Sequence, residues 1–154
     1  MNNIPLLVSL IAVPLGLMAS CGGGGIAEPV EIPFAVIEST SSGITTARFV
    51  VVKDNAAWGA LWREHKLNLT PTPAVPPIDF GQQMVVAVFV GQRPSGCDSV
   101  AIKAVKQTAT KLMVEYKESD PPPAGLNCTA ALVFPAELAS TAKSDSPVEF
   151  VAVK

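Results

Sequence analysis

The chain reads as a mainly β domain of the α+β class: an antiparallel sandwich or half-open barrel of about seven strands with one packed helix. Three observations predict it. Met84 to Val90 is seven apolar residues in a row, closed by Gly91 and Pro94, which describes a strand buried on both faces in the middle of a sheet. Shorter runs rich in Val, Ile, Phe and Tyr recur on both sides of it, separated by Gly, Pro and Ser clusters. Only around Trp58, Leu61 and Trp62 does the apolar period change from two to about 3.6. A sandwich or half-open barrel is the arrangement that best hides the edges of so many short strands.

Taken in order, the chain opens on a segment of its own kind. Residues 1–27 contain no charged side chain, and Ile4 to Leu17 is almost wholly apolar. A membrane span needs about 20 apolar residues, so this run is too short for one and fits the core of a secretory signal. Asn2 and Asn3 stand where Lys or Arg is usual. Leu17-Met18-Ala19-Ser20-Cys21 resembles a bacterial lipobox, which makes 1–20 a lipoprotein signal peptide and Cys21 the lipidated terminus. Gly22 to Gly25 begin a flexible tether, read as 21–31, and Gly22 in the second mature position resembles an outer-membrane sorting signal. The expected address is the bacterial envelope, on an outer-membrane lipid anchor facing the periplasm.

What remains, 32–154, is one domain with one core. Eleven basic and thirteen acidic residues leave a formal charge of −2, and no Lys/Arg cluster exists, which argues against a nucleic-acid partner. With Cys21 assigned to lipid, Cys97 and Cys128 remain as a pair in an oxidising compartment, with two free thiols as the alternative. A disulfide between them would stabilise by about 3–4 kcal/mol through chain entropy. Two distant cysteines and one histidine make a poor metal set, so neither metal nor other cofactor is expected.

Within the domain, Ile32 to Glu38 predicts an edge strand marked by Pro33, Ser39 to Gly43 a turn, and Ala47 to Val52 a strand. Asp54 or Asn55 can cap a helix that places Trp58, Leu61 and Trp62 on one face, with Arg63 and Glu64 turned away. The two indoles at helical spacing read as core rather than as a ligand box. Leu67 to Pro77, with four prolines, is a loop covering one end of the sheet. Beyond the central strand, Arg93-Pro94-Ser95-Gly96 is a turn, and Val100–Val105 with Lys111–Lys117 a hairpin. Leu112, Val114 and Tyr116 alternate with Lys111, Met113, Glu115 and Lys117, as on a sheet with one solvated side. Asp120 to Gly125 is a rigid loop with three consecutive prolines; Ala130–Phe134 and Val148–Val153 are two last strands.

Catalytic chemistry finds little support. His65, the only histidine, sits near the C-terminal end of the helix, where the helix dipole gives it a structural reason to be. No Gly-x-Ser-x-Gly elbow surrounds a nucleophile. Asp79, between Ile78 and Phe80, could be a buried carboxylate served by backbone N–H groups or Arg93, although a turn-capping role is the simpler reading. Glu115 and Glu118 lie on a solvated face rather than forming an acid–base pair. Asn68-Leu69-Thr70 and Asn127-Cys128-Thr129 match the glycosylation sequon, which in a bacterial lipoprotein is accidental. The protein is not expected to be an enzyme.

Several of these pieces together resemble the C-terminal domain family named for PrcB, an accessory subunit of a bacterial protease complex. The resemblance runs through Ser42-Gly43-Ile44, Trp58-x-x-Leu61-Trp62, Ile78-Asp79-Phe80, Met84-Val85-Val86 and Gly91-x-Arg93-Pro94-Ser95-Gly96, over roughly 42–153. Many members carry a second glycine and an aromatic where this chain has Cys97-Asp98. The resemblance implies no catalytic residues. It gives packing roles to Trp58, Leu61, Trp62 and Phe80, a strand-entrance role to Asp79, and turn roles to Gly91 and Gly96. The function it implies is binding, and stabilising or restraining, a protein partner such as a secreted protease. In that reading Arg93, Pro94 and Ser95 form a partner-binding loop within the turn Gln92 to Asp98, braced by the disulfide; a rigid loop lowers the entropy cost of binding. Arg93 followed by Pro94 suits a substrate-like inhibitor loop poorly. The alternatives are a structural envelope module without a protease partner, or a small-ligand carrier built around an apolar pocket.

Overall fold

In the computed structural model, residues 28–154 are described. The lipobox, Cys21 and the glycine tether lie outside them. Pro33 decides how the domain begins. It lacks an N–H for a ladder, and it divides what the sequence presents as one strand into β1 (Val30–Ile32) and β2 (Phe34–Ser41). The two belong to different sheets, so the chain changes layer at this residue. β1 also starts within the stretch read as tether.

β3 (Arg48–Val52) follows, then α1 (Asn55–His65). Asp54 caps the helix in extended conformation, its Oδ1 accepting from Ala57 N at 2.8 Å. The buried stripe of the helix is Trp58, Leu61, Trp62 and also His65, which the spacing 58, 61, 62, 65 places on the same face. β4 (Gln83–Phe89), β5 (Val100–Gln107), β6 (Leu112–Glu118), β7 (Pro135–Ala142) and β8 (Val148–Ala152) complete eight strands. They form two four-stranded sheets, ordered β1-β5-β6-β8 and β2-β7-β4-β3. The sheets face each other as a sandwich rather than closing into a barrel.

The molecule has three layers: α1, the second sheet, the first sheet. β4 explains why. Val85, Ala87 and Phe89 pack on the helix side with Trp58, Leu61 and Trp62, while Met84, Val86, Val88 and Val90 enter the core between the sheets. A strand with a helix on one face and a sheet on the other has no solvated side, and its unbroken apolar run follows from that.

Two expectations are corrected here. Ala130–Phe134 is not a strand; it makes a single bridge, Val133 to Arg93, and the strand is β7, immediately after it. β7 reads Pro-Ala-Glu-Leu-Ala-Ser-Thr-Ala, poor in β-formers, and it is a strand because β2 and β4 pair with both its edges. β8 departs from the antiparallel pattern expected of the sandwich: it pairs parallel to β6. The hairpin β5–β6 is as expected, with Leu112 and Val114 buried on the inner face. A register shift between Ile102 and Ala104 leaves Ile102 N to be satisfied by Oε1 of Glu137 in the opposite sheet, at 2.8 Å. No helix among the described residues is long and apolar enough to cross a membrane.

Candidate functional site: the stapled end of the sandwich

Both connections that carry the chain between the sheets at one end of the sandwich come together. Residues 90–99 leave β4 for β5, and 119–134 leave β6 for β7. They are joined by the Cys97–Cys128 disulfide, with Cα atoms 5.5 Å apart. Backbone bonds add to it: Arg93 N to Val133 O at 2.8 Å, Val133 N to Arg93 O at 3.0 Å, and Gly96 N to Thr129 O at 2.9 Å. Gly96 allows this approach, because a Cβ there would collide with Thr129 Oγ1. Gly91 opens the turn at φ +76°, where a Cβ would come within 2.9 Å of Ala47 N.

The turn itself is internally closed. Ser95 N donates to Asp98 Oδ2 at 3.0 Å, Asp98 N to Ser95 O at 3.0 Å, and Cys97 N to Ser95 Oγ at 3.2 Å. Pro94 and Gly96 are exposed and Ser95 half-buried. Arg93 does not project. Its Nε donates to Glu118 Oε2 at 2.8 Å, Nη2 lies 2.7 Å from the same oxygen, and Nη1 donates to Gln92 O at 2.9 Å. Glu118 therefore works as the turn's counter-charge rather than as a free surface carboxylate. Beside the turn, 119–127 is exposed throughout, with Leu126 following a tight turn in which Leu126 N donates to Pro123 O and Gly125 takes φ +93°. A cleft of about 180 Å³ lies beneath, lined by Ser41, Asp98, Val100, Val133 and Pro135.

The other residues singled out from the sequence are elsewhere. Trp58 and Trp62 are buried against the second sheet, and their Nε1 atoms donate to Pro76 O at 2.9 Å and Pro73 O at 3.0 Å. The proline-rich loop thus covers the indoles, and both rings have packing and hydrogen-bond partners without a ligand. Phe80 is buried in the same cluster. Asp79 is exposed: Oδ1 accepts from Gly81 N at 3.0 Å and its carbonyl from Gln82 N and Gln83 N, so it is the turn cap and not a buried carboxylate bound to Arg93. A wide-open depression of about 420 Å³ touches it, with Pro33, Phe34, Gln83 and Thr141.

His65 has a different environment from the one expected at a helix end. It is buried, with Nδ1 2.8 Å from Ser42 Oγ and Nε2 3.3 Å from Glu38 Oε2. Glu38 also binds Lys66, itself almost buried and set over the Trp62 ring. Burial lowers the His65 pKa from 6.5, Lys66 lowers it further, and Glu38 opposes both. A pKa held below 6.5 favours the neutral ring at pH 7, and the Nε2–H tautomer suits both partners, donating to Glu38 and accepting from Ser42 at Nδ1. The dipole account needs a charged ring and is replaced by this network. A Ser–His–Glu chain invites comparison with a nucleophile triad. Here Ser42 is 2% exposed, and its Oγ accepts from Ile44 N at 3.0 Å. The neighbouring donors are engaged too, Ser42 N by Phe134 O and Gly43 N by His65 O. None of these three backbone N–H groups is free for an oxyanion, and what the chain does is hold β2 to the end of α1. Glu38, Lys66 and Glu137 escaped sequence reasoning; for His65 the helical spacing was a usable signal. Among the described residues no group of His, Cys, Asp and Glu could hold a metal ion.

Fold and surface together define a helix-backed β-sandwich whose polar groups mostly serve its own structure, with a stapled pair of crossovers exposed at one end. Residues 84–142 match the family model described as PrcB C-terminal. The match runs from the central strand through the stapled crossovers to the end of β7. No curated protein and no solved structure matches it.

Proposed function

We propose that this is a non-catalytic binding module of the bacterial envelope, tethered through lipid on Cys21 to the outer membrane and facing the periplasm, that binds and stabilises or restrains a protein partner such as a secreted protease. The observation that carries the reading is the family match, whose span includes Arg93–Ser95 and both Cys97 and Cys128. The stapled end supports it physically. The turn and loop are exposed yet braced by a disulfide, an ion pair and backbone bonds, so little conformational freedom is lost when a partner docks on them. Affinity purification of the full-length lipoprotein from its native envelope, with mass spectrometry, tests it. A protease in stoichiometric amount is expected; a clean lipoprotein with nothing bound would overturn the partner reading.

A further inference from the structure

A carboxylate drawn away from water needs a counter-charge or hydrogen-bond donors, so one that lacks them is informative. Glu38, Glu64, Glu115, Glu118, Asp120 and Glu149 are ion-paired. Glu28, Glu31, Asp54, Asp79 and Asp145 are exposed to water. Two acids remain. Glu137 is buried and bonded to Ile102 N across the sheets. Asp98 is half-buried, and its Oδ2 accepts from Ser95 N at 3.0 Å. Among the described residues its Oδ1 has no hydrogen bond and the carboxylate has no ion pair.

Asp98 lines the cleft of about 180 Å³ beneath the stapled turn. β2 ends in Ser39-Thr40-Ser41, and the chain enters β5 through Ser99, so hydroxyls share the lining with the carboxylate. Those of Ser39, Thr40 and Ser99 bond no protein group among the described residues. The apolar part of the lining comes from Val100, Val133 and Pro135. No basic residue lines the cleft, and Arg93, the one cation of the turn, is committed to Glu118. Neighbouring bonds hold Asp98 in place: Cys97 is in the disulfide, and Gly96 N donates to Thr129 O at 2.9 Å.

Size and charge select the occupant. Sites for small organic ligands measure about 300–1,000 Å³, so this cleft is undersized for a carrier and has room for one side chain. An acidic guest would meet like charge. A wholly apolar guest would displace water from Asp98 and give it no partner in return. We propose that the cleft takes a lysine or arginine side chain of the protein partner. Its methylenes lie against Val100, Val133 and Pro135, and its charged head meets Asp98 Oδ1 and the free hydroxyls. The site rests on the reading of the stapled end as the docking face, and it makes one basic residue the anchor of that contact.

Amide NMR spectra of the full-length protein, titrated with the acetylated amides of arginine, lysine and norleucine, test this. Norleucine supplies an unbranched aliphatic side chain without the charge. Saturable shifts at Ser39–Ser41, Asp98 and Ser99 are expected with a basic amide, and binding about tenfold weaker with norleucine. Asp98→Asn keeps an acceptor for Ser95 N and removes the charge; it should weaken binding of the basic amide about tenfold while the melting temperature changes little. Ser39→Phe, at an exposed lining position, should block the cleft and decides the matter if the first variant folds poorly. Equal binding of norleucine, no saturable shift, or variants that bind as the wild type does overturn the proposal. Purification from the envelope separates it from the partner reading. A partner retained undiminished by Asp98→Asn overturns the basic anchor alone, whereas a lipoprotein that binds the basic amides but purifies with no other protein overturns the partner reading and supports the chemistry of the cleft.

Discussion

At the scale of single residues, Gly91 and His65 are where local chemistry departs from the ordinary. Gly91 holds φ +76° with Ala47 N close behind it. Gly91→Ala should lower the unfolding free energy by about 1–3 kcal/mol, read from urea denaturation, because a side chain in that region of backbone space is strained. His65 makes stability depend on pH in a defined direction. Its native pKa is depressed below 6.5, by burial first and Lys66 second, so the unfolded chain takes up a proton before the folded one does. The contribution is complete above 6.5, declines as the pH falls through and below that value, and levels off beneath the depressed native pKa. Urea midpoints taken at intervals between about pH 7.5 and 5.5 should fall, and His65→Gln should flatten the slope. The sequence showed one histidine near a helix end. That its ring is enclosed between Ser42 and Glu38, 23 and 27 residues away, depended on the fold.

At the scale of elements, the crossover pair matters most. Two connections of ten and sixteen residues, 90–99 and 119–134, contain no strand or helix of their own. Their backbone bonds to each other are few, and the disulfide joins them. Replacing both Cys97 and Cys128 with alanine should cost about 3 kcal/mol of stability, since the bond spans a loop of 31 residues, and should make 119–131 the first site of limited proteolysis. An unchanged cleavage pattern would mean that the hydrogen bonds alone hold the crossovers. The pairing was legible from cysteine arithmetic once Cys21 was set aside. The position of the last strands was less legible. β7 is composed of residues that favour no sheet, and only its place between β2 and β4 makes it a strand. The more β-like run before it, Ala130 to Phe134, has a single strand-like partner among the described residues, Arg93.

At the scale of the whole molecule, three layers share one central sheet, and the contact between the two sheets includes a carboxylate. Glu137 is 5% exposed in the sandwich core and accepts from Ile102 N across the layers. Glu137→Ala would leave that buried N–H without a partner and should destabilise by about 1–3 kcal/mol, whereas Glu137→Gln keeps an acceptor and should cost less. Equal losses for the two variants, measured by thermal and urea unfolding, would show that the cross-sheet bond contributes nothing. Much of the architecture could be reasoned from the chain alone. An unbroken apolar run requires burial on both faces, and a switch to helical period marks a single docked helix. These are properties of neighbours in sequence, whose spacing carries the physics. What only the tertiary structure decided were relations between distant residues: the change of sheet at Pro33, the parallel docking of β8 on β6, the turn of Arg93 toward Glu118, and the enclosure of His65. Each is selected by which surfaces meet after collapse, and a local pattern has no means to encode that.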